Sequence, residues 1–326
     1  MEFLNDKRIK VSSALNASLF EMPRREKLNK HFKRIVSDNF GLRASGKPFE
    51  AKGLIVTGES RSGKTTEIED LVNQFNDQKY ILFDDVPARI ISCKLSGLVS
   101  WKDMGLNVLK ELGFPFKNFK TVPEIWMKVA EQVKLQGVIG IHFDECQHVF
   151  GKGSKVTNSI ILDSFKSLAK QSGWPLILIL SGVPDLLKFV VPYEQLNYLM
   201  THVRFDLIDL DRKPSKEKGD LECMNEICFH YADRIDIDFE PLSNRGFMER
   251  LCFAGANRWG LVIELVIEAL TLCKLDDQSE ISLKYFEEAF ADKTGIPLGF
   301  SPFSDDDYQE AFSKENLVAM LTGQVD

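Results

Sequence analysis

Leu54-Ile55-Val56-Thr57-Gly58-Glu59-Ser60-Arg61-Ser62-Gly63-Lys64-Thr65 decides the fold of this 326-residue chain. A short apolar run feeds a G-x-x-x-x-G-K-[ST] loop, and helical spacing follows from Thr66 to Phe75. A strand entering and a helix leaving are the context a phosphate-binding loop needs. Its glycines let successive backbone N–H groups curl around phosphate oxygens, and the anion rests on the helix N-terminus. Gly58, Glu59, Ser60, Arg61, Ser62, Gly63, Lys64, Thr65 and Thr66 are therefore expected to hold ATP. Lys64 reaches the outer phosphates, and the Thr65 hydroxyl is placed to ligate Mg²⁺.

Working outward, Gly137-Val138-Ile139-Gly140-Ile141-His142-Phe143-Asp144-Glu145 reads as a buried strand ending in two carboxylates. Asp144 is expected to hold Mg²⁺ through its water shell, and Glu145 to polarise a water for in-line attack on the γ-phosphate. The next strand, Leu176 to Leu180, ends at Ser181, whose hydroxyl is expected between the γ-phosphate and Glu145. Farther on, Gly255-Ala256-Asn257-Arg258 precedes an amphipathic helix. A cation there opposes the helix macrodipole, which points to anion contact by Arg258. Arg204, read as opening a fifth strand over 203–208, is the candidate arginine finger. His142 reads as a packed strand residue rather than a catalyst.

Apolar runs at 89–93, 138–143, 176–180 and 203–208 alternate with helical segments at 101–112, 122–135, 158–171 and 193–201. That alternation predicts an α/β fold, a mostly parallel sheet sandwiched by helices. Past Asp211 the polar run to Lys218 reads as a linker, followed by a small helical lid with helices near 221–231, 243–253, 261–273 and 283–290. Ser243 and Ser282 are read as N-caps. The expected domains are an N-terminal basic helical arm (1–50), a nucleotide-binding core (51–211), the lid (212–295) and an acidic C-terminal tail (296–326) read as extended.

Composition limits the alternatives. Net charge is −7, yet residues 1–50 carry eleven Lys/Arg against six Asp/Glu, while the tail holds Asp305-Asp306-Asp307, Glu310 and Glu315. Different partners at the two ends are implied. No apolar stretch is long enough for a membrane span and the first residues lack a signal-peptide core, so a cytoplasmic location is expected. Six scattered cysteines give no disulfide framework. Cys223, Cys228 and His230 lack a fourth ligand for zinc and read as buried side chains.

The order of phosphate loop, Asp-Glu strand, polar strand end and Gly-x-x-Arg in a helical lid resembles the AAA+ P-loop NTPases. Within them, the chain resembles the TniB/TnsC family of transposition regulators through His142-Phe143-Asp144-Glu145-Cys146-Gln147-His148, Ser181-Gly182-Val183-Pro184 and Asn257-Arg258-Trp259-Gly260-Leu261, with Phe286 to Phe290 and Pro302-Phe303. That resemblance implies an ATP-dependent homo-oligomer, ring or helical filament, that grips double-stranded DNA through its backbone. It also implies hand-over to a DDE transposase, often with a TniQ-type targeting protein. Lys102, Lys117, Lys120 and Thr121, interleaved with aromatic residues, are the expected DNA contacts. Two other readings stay open: a signalling or phage-defence ATPase of the STAND type acting on a protein, and a clamp-loader or initiator-type remodeller.

Overall fold

The structure, a computed structural model, describes residues 4–82, 85–114, 121–150, 155–212 and 218–323. It divides into two compact units, residues 24–205 and residues 1–23 with 206–326. The first helix, α1 (Asp6–Leu15), belongs to the second unit; the first unit begins within α2 (Pro23–Ala44).

Five parallel strands form the first unit's sheet: β1 (Gly53–Gly58), β2 (Arg89–Lys94), β3 (Val138–Asp144), β4 (Ile177–Gly182) and β5 (Met200–Phe205), in the order β2-β3-β4-β1-β5. Every residue of β1, β3 and β4 is buried. Unbroken burial is what a parallel strand covered on both faces requires, and it explains why these strands read as continuous apolar runs rather than alternating ones. On one face Leu54, Val56, Ile139 and Ile179 pack with Ile68, Leu71 and Phe75 of α3 (Lys64–Asp77) and with Leu28, Phe32 and Ile35 of α2. On the other, Ile141, Phe143 and Leu178 pack with α4 (Trp101–Glu111), α5 (Val122–Leu135) and α6 (Lys155–Ala169). Two one-turn helices, α7 (Leu187–Val190) and α8 (Glu194–Asn197), lead into β5.

The order of the strands, not merely their number, positions the site. β1 lies between β4 and β5, and β3 lies beside β4, so the C-terminal ends of β1, β3 and β4 come together. In open α/β sheets this carboxyl edge is where ligands bind.

β5 is an edge strand and lies three residues earlier than the apolar run at 203–208 implied. Its inward positions are Met200, Val203 and Phe205, with exposed His202 and Arg204 between them, and Leu207 beyond it is exposed. Arg204 therefore lies near the strand's C-terminal end, opposite Thr57, rather than at its start.

The second unit gathers α1 with α9 (Asp220–Asp233), α10 (Arg245–Ala254), α11 (Trp259–Leu275) and α12 (Leu283–Thr294), followed by α13 (Tyr308–Ala311) and α14 (Lys314–Thr322). Asn244, not Ser243, caps α10, accepting from the Phe247 N–H at 3.0 Å. The stretch read as one basic arm is thus split at Pro23. Val11 and Leu15 of α1 bury against the lid core, Arg8 pairs with Glu268, and the Arg234 guanidinium holds the Leu15 and Ser18 carbonyls at 2.7 and 2.8 Å.

The tail is likewise folded rather than extended. Phe303 is buried and rings it touches include Phe247, Phe286 and Phe290, while Arg250 grips the Pro302 and Asp305 carbonyls at 2.9 and 2.6 Å. Leu317 and Leu321 complete the same core. Pro297, Gly299 and the aspartates look like breakers in the sequence because the aromatic contacts that fix the segment come from other elements, Phe247 of α10 and Phe286 and Phe290 of α12.

Candidate active site

The phosphate loop takes its shape from two left-handed backbone positions, Arg61 (φ 62°) and Gly63 (φ 91°). Gly63 is the N-cap of α3, and its φ of 91° is a torsion that favours glycine; a Cβ there would also lie 2.7 Å from Nη2 of Arg24. Arg24 also forms an ion pair with Glu67 at 2.9 Å and sits 4.7 Å over the Phe205 ring. In the sequence this arginine reads only as part of a basic helix; its position directly before Arg25 and Glu26 carries no distinguishing signal.

Lys64 is almost fully buried, and its ammonium donates to the Gly58 and Glu59 carbonyls, both at 2.9 Å. Burial lowers its pKa, opposed by the negative charges of Glu145, Asp144 and Glu59. The charge is held against the loop's own carbonyls, which suits it to reach the outer phosphates of a nucleotide bound there.

Thr65 in the first turn of α3 donates its hydroxyl to Asp144 Oδ2 at 2.8 Å. The contact brings the third element of the loop against the end of β3, with a hydroxyl and a carboxylate oxygen facing one point. Mg²⁺ is held in just such sites by one or two protein oxygens plus phosphates and water, so the donor set fits that ion.

Asp144 is 2% exposed. Burial disfavours its ionisation, yet hydrogen bonds from the Ser181 and Thr65 hydroxyls and from the Glu145 backbone, with His142 alongside, hold it below the usual carboxylate range. Ser181 Oγ donates to Asp144 Oδ1 at 2.5 Å. With that proton committed, Ser181 Oγ accepts from His142 Nε2 at 2.8 Å, and His142 Nδ1 accepts from the Ser92 hydroxyl at 3.2 Å. A buried chain Ser92–His142–Ser181–Asp144–Thr65 thus crosses β2, β3, β4 and α3. His142 is fully buried, and desolvation lowers its pKa to about 4, so the ring is neutral at pH 7. Its role as a hydrogen-bonding link between strands went unread in the sequence, where an alternating strand position gave no hint of polar neighbours.

Ser181 therefore touches Asp144 directly. Glu145 adopts a left-handed conformation (φ 55°) as the chain turns from β3 into the 3-10 turn Cys146–Val149. For a residue with a Cβ this costs of order 1 kcal/mol, and such outliers gather at functional sites. Gln147 Nε2 donates to the Glu145 carboxylate.

Arg204 is exposed on the edge strand. Arg258 is the half-buried N-cap of α11 in the second unit, preceded by left-handed Ala256 and Asn257. Lys102 is the second residue of α4, and the Thr121 hydroxyl caps α5 in a reciprocal capping box with Glu124. Trp101, one of the aromatic residues between those lysines, stacks on Trp126 at 4.1 Å. Lys117 and Lys120 lie outside the described residues. Cys223 and Cys228 are buried thiols, and no His/Cys/Asp/Glu cluster suited to a metal occurs among the described residues. No helix among them is long and apolar enough to cross a membrane.

Residues 47–190 match the family model AAA_22, an AAA domain. The fold is the AAA+ P-loop NTPase fold. Among solved structures, this chain is similar to Cdc6p from Pyrobaculum aerophilum, with 12% identity, a TM-score of 0.59, and 85% of this chain and 70% of that one covered. It is similar to the Aeropyrum pernix ORC1 protein in complex with DNA at 12% identity and TM-score 0.59, covering 88% and 72%. The Aeropyrum pernix ORC2 protein in its ADPNP–ADP complexes gives 10% identity and TM-score 0.59, covering 84% and 69%. No curated protein sequence matches the chain.

Proposed function

We propose that the protein is an Mg²⁺-dependent ATPase whose nucleotide state governs its assembly on duplex DNA, and that it regulates DNA transposition in the manner of the TniB/TnsC proteins it resembles. The observation that carries the ATPase reading is the Thr65–Asp144 contact at 2.8 Å, with Lys64 and Glu145 beside it at the carboxyl edge of the sheet. In this reading the loop amides and Lys64 bind the triphosphate, and Thr65 and Asp144 hold Mg²⁺. The ion supplies charge neutralisation on the phosphate oxygens when bound.

Glu145 accepts a proton from the attacking water, and Ser181 keeps Asp144 ionised and oriented. Arg204, exposed at the sheet's edge, is assigned to a neighbouring subunit's nucleotide, and Arg258 to the lid's contact with phosphate. A finger supplied in trans raises turnover by roughly 10³ to 10⁵, so hydrolysis follows assembly.

Support for the DNA arm is the motif resemblance, with the shared fold of the ORC1 protein solved with DNA, and the spacing of Lys102, Lys117 and Lys120 in the sequence. Lys102, Lys117, Lys120 and Thr121 are assigned to phosphate contacts, which are sequence-independent and salt-sensitive. The tail's apolar residues serve the second unit's core, so contact with a transposase or a TniQ-type protein is assigned to exposed acidic positions such as Asp306, Asp307 and Glu310. Fluorescence anisotropy of a random duplex tests the DNA arm. ATP-stimulated binding that weakens steeply with salt is expected, and equal retention with ATP and ADP, or none, refutes it.

A further inference from the structure

Gln147 bridges two elements of the site. Its Nε2 donates to the Glu145 carboxylate, and its Oε1 accepts the Val183 N–H at 3.2 Å, just past the end of β4. The orientation of the amide is forced, because a carboxylate only accepts and a backbone N–H only donates. The two ends of one primary amide thus serve both partners at once. The bridge is also built into the backbone: a Cβ on Gly182 would lie 2.3 Å from Gln147 Oε1, whereas its next neighbour, Leu186 Cδ2, is 3.4 Å away. Gly182 has no positive φ, so space for the glutamine amide is what a side chain there would remove.

From this geometry we infer that Gln147 is a positioning residue for the reaction: it clasps the Glu145 carboxylate to the loop that follows Ser181. The inference rests on the reading of Glu145 as the proton acceptor. Glu145 sits on a strained left-handed turn with a rotatable side chain, and nothing in β3 itself fixes where its carboxylate points. The clasp ties that direction to the end of β4, one residue beyond the Ser181-Gly182 pair, so the hydroxyl on Asp144 and the carboxylate of Glu145 are set by the same short segment. Fixing a general base within a few tenths of an ångström is where a supporting hydrogen bond acts on rate rather than on binding.

The test is a mutant cycle on the full chain: Gln147→Ala, Gly182→Ala and the double variant, with Mg·ATP turnover, affinity for a slowly hydrolysed ATP analogue, and thermal melting measured for each. Gln147→Ala is expected to lower kcat about tenfold or more while KM and analogue affinity stay within about twofold. Gly182→Ala is expected to lower kcat similarly by displacing the amide, and to have no further effect in the Gln147→Ala background, where its Cβ meets no glutamine. Wild-type kcat in Gln147→Ala, or a Gly182→Ala loss that persists in full in the double variant, overturns the clasp. A parallel fall in melting temperature and analogue affinity assigns the bridge to folding and also overturns it. Absence of turnover in the wild-type protein refutes the ATPase reading and the clasp with it, so the two failures are told apart.

Discussion

At the scale of single residues, the site is organised by hydrogen-bond direction more than by charge. Asp144 receives two hydroxyl protons, one from Thr65 and one from Ser181, and the second commits Ser181 to accepting from a neutral His142. A histidine buried without charge has a consequence for stability. Its folded pKa, about 4, lies below the unfolded value of 6.5, so below pH 6.5 the unfolded chain binds a proton that the native state does not. Stability is therefore full above pH 6.5 and is lost as pH falls toward 4. The loss approaches about 3.5 kcal/mol near pH 4 at roughly 1.4 kcal/mol per pKa unit. Urea unfolding of the nucleotide-free protein at pH 7 and pH 5 is expected to show about 2 kcal/mol of it, and His142→Gln to flatten it. An unchanged slope in that variant would show the ring is not what titrates.

At the scale of elements, the strands and the loop were legible because their signals are local. The G-x-x-x-x-G-K-[ST] loop, the apolar run before Asp144 and the capping residues Thr121 and Glu124 all act within a few positions. α5 spans 122–135 in the structure, as read from the sequence. What stayed illegible was set by distant partners. β5 was displaced because an edge strand alternates and its apolar content is thin. α1 was missed because its few apolar residues acquire a face only against α11 and α9. Ser92 and Gln147 bear on the site through register and a turn, which no motif encodes.

The tail shows the same principle energetically, since Phe303 is 2% exposed among three other aromatic rings. Truncating it to alanine is expected to cost about 3–5 kcal/mol of the second unit's stability. A urea midpoint unchanged in Phe303→Ala would contradict the tail's place in that core.

At the scale of the whole molecule, the chain joins an AAA+ sheet, whose carboxyl edge gathers Lys64, Thr65, Asp144, Glu145 and Ser181, to a helical unit built from both ends of the sequence. The basic excess of residues 1–50 is thereby divided: Lys7, Arg8 and Lys10 go with the helical unit, and Arg24 to Arg34 line α2. A net charge of −7 is reconciled with DNA contact only where lysines are concentrated on one surface, so salt dependence is the signature to seek.

The central claim is that this edge hydrolyses ATP with Glu145 as the proton acceptor, and one comparison tests it most directly: steady-state ATP turnover and analogue affinity for the wild-type protein and for Glu145→Gln, with Mg²⁺ and duplex DNA present. Wild-type turnover is expected, with Glu145→Gln binding the analogue equally well but turning over at least about 10²-fold more slowly. A wild-type protein that binds no nucleotide, or a Glu145→Gln variant that hydrolyses at the wild-type rate, would contradict it.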